Sequence, residues 1–194
     1  MAKDESAVKV VLVLVMIAAF SAMLLAYVNQ ITQAPIEYNK KQEVRKAIQL
    51  VLKGLPKYTV PTEAKSMEID ASPIKYYPAK AEDGSIVGYA VIALAPNGFS
   101  GEFPVMVGID KEGKIIDTYV LEHKETPGLG SKMTEEGFKS QFRGKSLDNT
   151  KWQVKKDGGD IDAITAATIS SRAFTAGILR ALKADNTLME GNKQ

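Results

Sequence analysis

GYAVIALA at residues 88–95, FPVMVGID at 103–110 and KIIDTYVLEH at 114–123 are three apolar runs rich in β-branched residues. Pro96-Asn97-Gly98 follows the first run and Asp110-Lys111-Glu112-Gly113 joins the second to the third, both turn-forming sequences. Strands joined by such short connections fold back on one another, so the three runs predict an antiparallel meander. Downstream, Glu136 to Phe142 predicts a short helix and Ser170 to Lys183 a longer one, with Phe174, Ile178 and Leu182 spaced four apart on one face. The fold class is therefore α+β, a small antiparallel sheet with flanking helices. There is no internal repeat and no low-complexity tract.

Upstream of the sheet, residues 57–83 are less regular and contain Pro61, Pro73 and Pro78; short strands are compatible with them. Tyr38 to Leu55 predicts an amphipathic helix, because Val44, Ile48, Val51 and Leu55 recur at helical spacing, and Gly54 and Pro56 end it. A polar stretch with Pro35 precedes it. Further back, Val10 to Val28 is an uncharged, mostly apolar run, VVLVLVMIAAFSAMLLAYV. At about 1.5 Å per residue it spans close to the ~30 Å hydrocarbon core of a bilayer. It is longer than a signal-peptide core, and Ala26-Tyr27-Val28 is a poor cleavage site, so a single retained membrane helix in contact with lipid is expected. Lys3 and Lys9 with Asp4 and Glu5 on one side, and Lys40, Lys41 and Arg45 on the other, leave its orientation open. The expectation is a single pass in the cell inner (cytoplasmic) membrane, with the C-terminal domain on the periplasmic, extracytoplasmic side. The expected organisation is an anchor over 1–30, an amphipathic helix and irregular stalk over 31–84, and a globular domain over 85–190.

Composition narrows the chemistry. The net charge is +2, from 25 Lys and Arg against 23 Asp and Glu mixed along the chain, so no nucleic-acid face is indicated. There is no cysteine and one histidine, His123. Iron–sulfur clusters, thioether-linked haem and closed zinc sites all need more Cys or His than that. No metal site is expected, and any redox chemistry falls to an organic cofactor.

The segment Asp162-Ala163-Ile164-Thr165-Ala166-Ala167-Thr168-Ile169-Ser170-Ser171 gathers hydroxyls just where the last helix begins. Ala166 and Ala167 let a bulky group approach the backbone. A helix N-terminus offers unpaired N–H groups and partial positive charge, a setting for phosphate. Taken alone, these residues read first as ordinary Ser/Thr helix caps. A phosphate held by, or esterified to, a hydroxyl is the second reading. His123-Lys124-Glu125-Thr126-Pro127-Gly128-Leu129-Gly130 reads on its own as a turn, stiffened by Pro127 and opened to close approach by Gly128 and Gly130. Phe99-Ser100-Gly101 is a further candidate wall.

The first segment resembles the flavinylation motif D-x-x-(S/T)-(G/A)-A-T of FMN-binding domains in respiratory complexes, matched here by Asp162, Thr165, Ala166, Ala167 and Thr168. The second resembles the H-x-E-T-P-G-L-G loop of the same family. The anchor, loop and motif occur in the family's order, and the resemblance is nearest to the G subunit of Rnf-type ion-translocating electron transport complexes. The C subunit of the sodium-pumping NADH:quinone oxidoreductase shares the design but is typically longer. The resemblance implies FMN joined by a phosphoester to Thr168, with Ser170 the runner-up acceptor. It places Thr165, Ala166, Ala167, Ser171, Glu125, Thr126, Gly128 and Leu129 around the cofactor. It also implies a flavin transferase for maturation, and a carrier role between ferredoxin and NAD alongside other membrane, iron–sulfur and flavin subunits that move Na+ or H+. No catalytic residue is expected in the chain itself, so whether it counts as an enzyme alone stays open. The alternatives are a component like that C subunit, a membrane-anchored FMN-binding sensor, and a cofactor-free structural subunit.

Overall fold

The computed structural model describes residues 2–191; Met1, residues 192–194 and the side chains of residues 2–7, with Lys3, Asp4 and Glu5 of the flanking charge, lie outside the described residues. The chain divides into two compact units, Met1–Glu43 and Val44–Gln194.

The described residues of the first unit are helical and belong to α1 (Ala2–Val51). Its most apolar window reaches a mean hydropathy of 2.7 and is nowhere covered by protein. Side chains such as Phe20, Met23 and Leu25 are about 70% exposed, at 69%, 71% and 71%. Such a helix is long and apolar enough to cross a membrane, and lipid is the solvent that suits its surface. The helix runs through Pro35 instead of restarting at Tyr38. Proline removes one bond to the carbonyl four residues back, at roughly 3 kcal/mol, and the neighbouring residues are helix-compatible on both sides. The Thr32 hydroxyl adds donations to the carbonyls of Val28 (2.8 Å) and Asn29 (3.1 Å).

The second unit is built on five strands, β1 (Lys65–Ile69), β2 (Ser72–Lys80), β3 (Ile86–Ala95), β4 (Phe103–Asp110) and β5 (Ile115–Val120), antiparallel throughout and in sequence order. The meander expected from the three apolar runs is β3 to β5. In the β4–β5 turn, Asp110 accepts from the N–H groups of Glu112 (2.8 Å) and Lys114 (3.0 Å), and Gly113 takes φ +76°. β1 and β2 extend the sheet into the less regular 57–83 stretch. Pro73 and Pro78 within β2 mask its strand pattern, since proline is depleted from sheets.

The sheet is covered on both faces. On one, Val91, Ala93, Val105, Val107 and Ile109 pack with Phe174, Ile178 and Leu182 of α3 (Thr168–Gly191). On the other, Ala90 and Met106 meet Ala47, Ile48, Val51 and Leu52. Gly108 is required there, because a Cβ would overlap the Val51 carbonyl. Each fully buried large apolar side chain contributes about 1.5–3 kcal/mol. The connection from β5 to α3 carries the short helix α2 (Glu136–Lys139) and a 3-10 turn over Ser140–Phe142. Phe138 and Phe142 pack against Phe174 with ring centroids 5.3 and 5.2 Å apart. This aromatic cluster anchors the long connection to α3.

Candidate cofactor site

Three separate loops converge at the start of α3. A cleft of about 300 Å3 is lined by Phe99 from the β3–β4 connection, Glu125, Thr126, Leu129 and Gly130 from the segment after β5, and Ala166 to Ser170. That volume lies at the lower end of small-molecule pockets.

Glu125 is the hub of this cleft. It is 4% exposed, and its two oxygens serve two different segments. Oε1 accepts from the Ser100 N–H at 3.1 Å, and Oε2 accepts from the Ser170 hydroxyl at 2.7 Å. Gly98 and Gly130 make room for the carboxylate. A Cβ on Gly130 would overlap Glu125 Oε2 and sit 2.6 Å from Ser170 Oγ, and one on Gly98 would sit 2.8 Å from Glu125 Oε1. Neither Ser100 nor Gly98 carries a sequence signal for this function beyond its place beside the turn, because the partner lies 25 residues from Ser100.

The first turn of α3 is open. Ser171 donates its N–H to Ala167, which makes Ala167 the N-cap, and alanine has no capping oxygen. The N–H groups of Thr168, Ile169 and Ser170 have no acceptor among the described residues, and the Thr168 hydroxyl has no partner there either. The cap reading of Thr168 therefore does not hold: Thr168 occupies the first helical position, past the point where a cap acts. Just before it, Ala166 takes φ +61°. The motif position where glycine is commoner is a left-handed one, and alanine holds it here at roughly 1–2 kcal/mol.

The other expected residues divide by location. Ser171 is fully buried; its oxygen accepts the Ile164 N–H at 3.0 Å and donates to the Ala167 carbonyl at 3.0 Å, which braces the loop behind the cleft. Asp162 is outside the cleft too, paired with Lys155 at 2.7 Å and bonded through its N–H to Gln141 at 2.8 Å. Thr165 and Gly128 are exposed and not among the lining residues. Gly128, at φ +73°, donates its N–H to Ser131 Oγ and shapes the loop. Thr126, Leu129, Ala166, Ala167 and Thr168 line the cleft. Phe99, Leu129 and Ile169 stand 67%, 41% and 47% exposed around it, although large apolar side chains elsewhere in this unit are mostly buried. Ile169 was not a sequence candidate; its signal is an apolar residue on the uncovered side of the helix.

His123 does not reach this cleft. It lines a separate groove of about 640 Å3 along β5, with Asp117, Lys139 and Arg143. Burial works against the Asp117 charge, but Arg143 at 2.8 Å, the Thr118 N–H and Lys139 outweigh it and hold the carboxyl below its usual range. No group of three or more His, Cys, Asp or Glu suited to a metal occurs among the described residues.

Residues 98–183 match the model of the FMN-binding domain, and residues 1–51 match the RnfG N-terminal region. The chain is 34% identical over 188 residues to the G subunit of the ion-translocating oxidoreductase complex of Shewanella baltica, covering 87% of this chain and 84% of that one. It is 33% identical to the corresponding G subunit of Escherichia coli K12, with 87% and 85% covered. A crystal structure of Shewanella oneidensis NqrC is similar at 18% identity and a TM-score of 0.49, covering 68% of this chain and 70% of that one. The relatives agree in name and extend over most of both chains, and the chain belongs to the family of G subunits of ion-translocating oxidoreductase complexes.

Proposed function

We propose that this chain is a membrane-anchored electron carrier of an Rnf-type complex, holding FMN as a phosphoester on Thr168. The observation that carries the attachment site is the Thr168 hydroxyl, unpartnered at an uncapped helix start inside the cleft that both motif segments line. The residues fit the cofactor. The free N–H groups of the first α3 turn suit a phosphate, and the exposed side chains of Phe99, Leu129 and Ile169 suit the faces of a tricyclic ring. The flavin supplies the one- and two-electron chemistry when bound. This chain's own residues anchor, orient and partly enclose it. A cleft of about 300 Å3 leaves part of such a ring uncovered, as electron exchange with a partner requires.

Attachment needs a flavin transferase, because esterifying a hydroxyl with free FMN in water is uphill. Other members of the complex supply the donor, the acceptor and the ion path, since one lipid-facing helix forms no channel. The domain lies on the extracytoplasmic side, and α1 meets lipid through residues 10–28.

The test is denaturing gel electrophoresis of the native-source protein under ultraviolet light, followed by peptide mass spectrometry. A fluorescent band with flavin on the Thr168 peptide supports the reading. Thr168→Ser retains some flavin and Thr168→Ala loses it. A dark band of unmodified mass from cells that contain the transferase sinks it.

A further inference from the structure

We infer that Glu125 selects which hydroxyl of the first α3 turn receives the flavin, by sequestering Ser170 and leaving Thr168 presented. The inference rests on the covalent reading of Thr168 above. The motif segment offers two hydroxyls two residues apart, Thr168 and Ser170. On a helix such positions differ by about 200° in direction, so a rotation that turns one towards an incoming group turns the other away. The Glu125–Ser170 hydrogen bond sets that rotation. At 2.7 Å to a buried carboxylate it is a charge-assisted bond, stronger than a neutral one.

A carboxylate beside a serine is also the arrangement that activates a hydroxyl for attack, so access decides the outcome here. Ser170 is 1% exposed, and there is no space for even a methyl group on Gly130 above the bond. A phosphorus atom with its oxygens is larger than a methyl group and cannot reach Ser170 while Gly130 packs over it. Thr168 is half-buried on the cleft wall with no hydrogen-bond partner. Glu125 is thus a positioning residue, acting on the attachment through Ser170. Its bonds to Ser100 and Ser170 fix its carboxylate at the cleft wall. The transfer it directs joins the Thr168 oxygen to the flavin-side phosphorus of a flavin dinucleotide and breaks the phosphoanhydride bond. The nucleoside monophosphate leaves, the hydroxyl proton passes to solvent, and nothing is oxidised or reduced.

The test uses the full chain co-produced with the flavin transferase and reads flavin on Thr168 and on Ser170 by peptide mass spectrometry. Wild type and Glu125→Gln, whose amide oxygen accepts from the Ser100 N–H while its NH2 donates to Ser170 Oγ, carry flavin on Thr168. Thr168→Ala alone leaves Ser170 unmodified. Thr168→Ala/Glu125→Ala carries flavin on Ser170 at about tenfold or more above the detection background of that single variant, the opening that one charge-assisted hydrogen bond controls. Flavin on Ser170 in the Thr168→Ala variant overturns the inference, as does its absence from Ser170 in the folded double variant. If the alanine double variant shows no cooperative melting, Thr168→Ala/Glu125→Asp replaces it: the shorter side chain withdraws from Ser170 but stays charged, and an unmodified Ser170 there overturns the inference equally. A wild type without covalent flavin overturns the covalent reading and this inference together, whereas a loaded wild type with an unmodified double variant overturns this inference alone.

Discussion

Asp185 should make the second unit more stable in mild acid than at neutral pH, and Asp185→Asn should remove that dependence. Asp185 lies on α3 at 2% exposure, and its Oδ1 has no hydrogen-bond partner among the described residues. Burial, and to a lesser degree the nearby Asp110 charge, push its carboxyl up from 3.8 to about 7. At about 1.36 kcal/mol per unit, a rise of this size corresponds to roughly 4 kcal/mol at most between the two protonation states. The folded protein holds the proton more tightly than the unfolded chain, so the unfolded state binds fewer protons between pH 4 and 7. Stability contributed by this group therefore falls as pH rises through that window and stays low above it. Asparagine has the same shape and no charge to desolvate. Urea unfolding of the full chain in detergent, followed by the Trp152 fluorescence, reads both slopes. The variant should match wild type near pH 4.5 and exceed it by about 2–4 kcal/mol at pH 8. Equal stability of the two proteins at pH 8, or an unchanged pH slope in the variant, refutes the reasoning.

Ala166→Gly should stabilise the fold by about 0.5–1 kcal/mol, the relief of a left-handed alanine less the extra freedom glycine has when unfolded, and should leave flavin loading intact; calorimetry and gel fluorescence check it. Gly130→Ala should cost about 2–3 kcal/mol and reduce flavin loading together, because its Cβ collides with the Glu125–Ser170 pair, whereas Gly137→Ala, with open space around its Cβ, should change loading little. Asp117→Asn should lose about 1–2 kcal/mol at pH 7 through weakened bonds to Arg143 and Lys139. Since that carboxyl is held below its usual range, the loss should vanish as pH falls below the ordinary carboxylate range, the opposite sign to Asp185.

The chain's local patterns determined the lipid-facing helix, the β3–β5 meander and the buried face of α3 at Phe174, Ile178 and Leu182. These follow from periodicity and turn chemistry, which act between residues close in sequence. β2 stayed obscure because two prolines broke its pattern, and α1 ran through Pro35 because one lost hydrogen bond does not end a long helix. Motif order pointed to Thr168 and the Glu125 loop, but not to how they meet. That Glu125 binds Ser170 across 45 residues and Ser100 across 25, that Ser171 faces inward, and that Ala166 takes a left-handed conformation were decided by tertiary structure. The physical reason is that a hydroxyl's role depends on direction and access. Thr168 and Ser170 are nearly equivalent in sequence, and packing of the Gly130 loop over α3 leaves the Ser170 hydroxyl buried on Glu125 and the Thr168 hydroxyl unpartnered at the cleft.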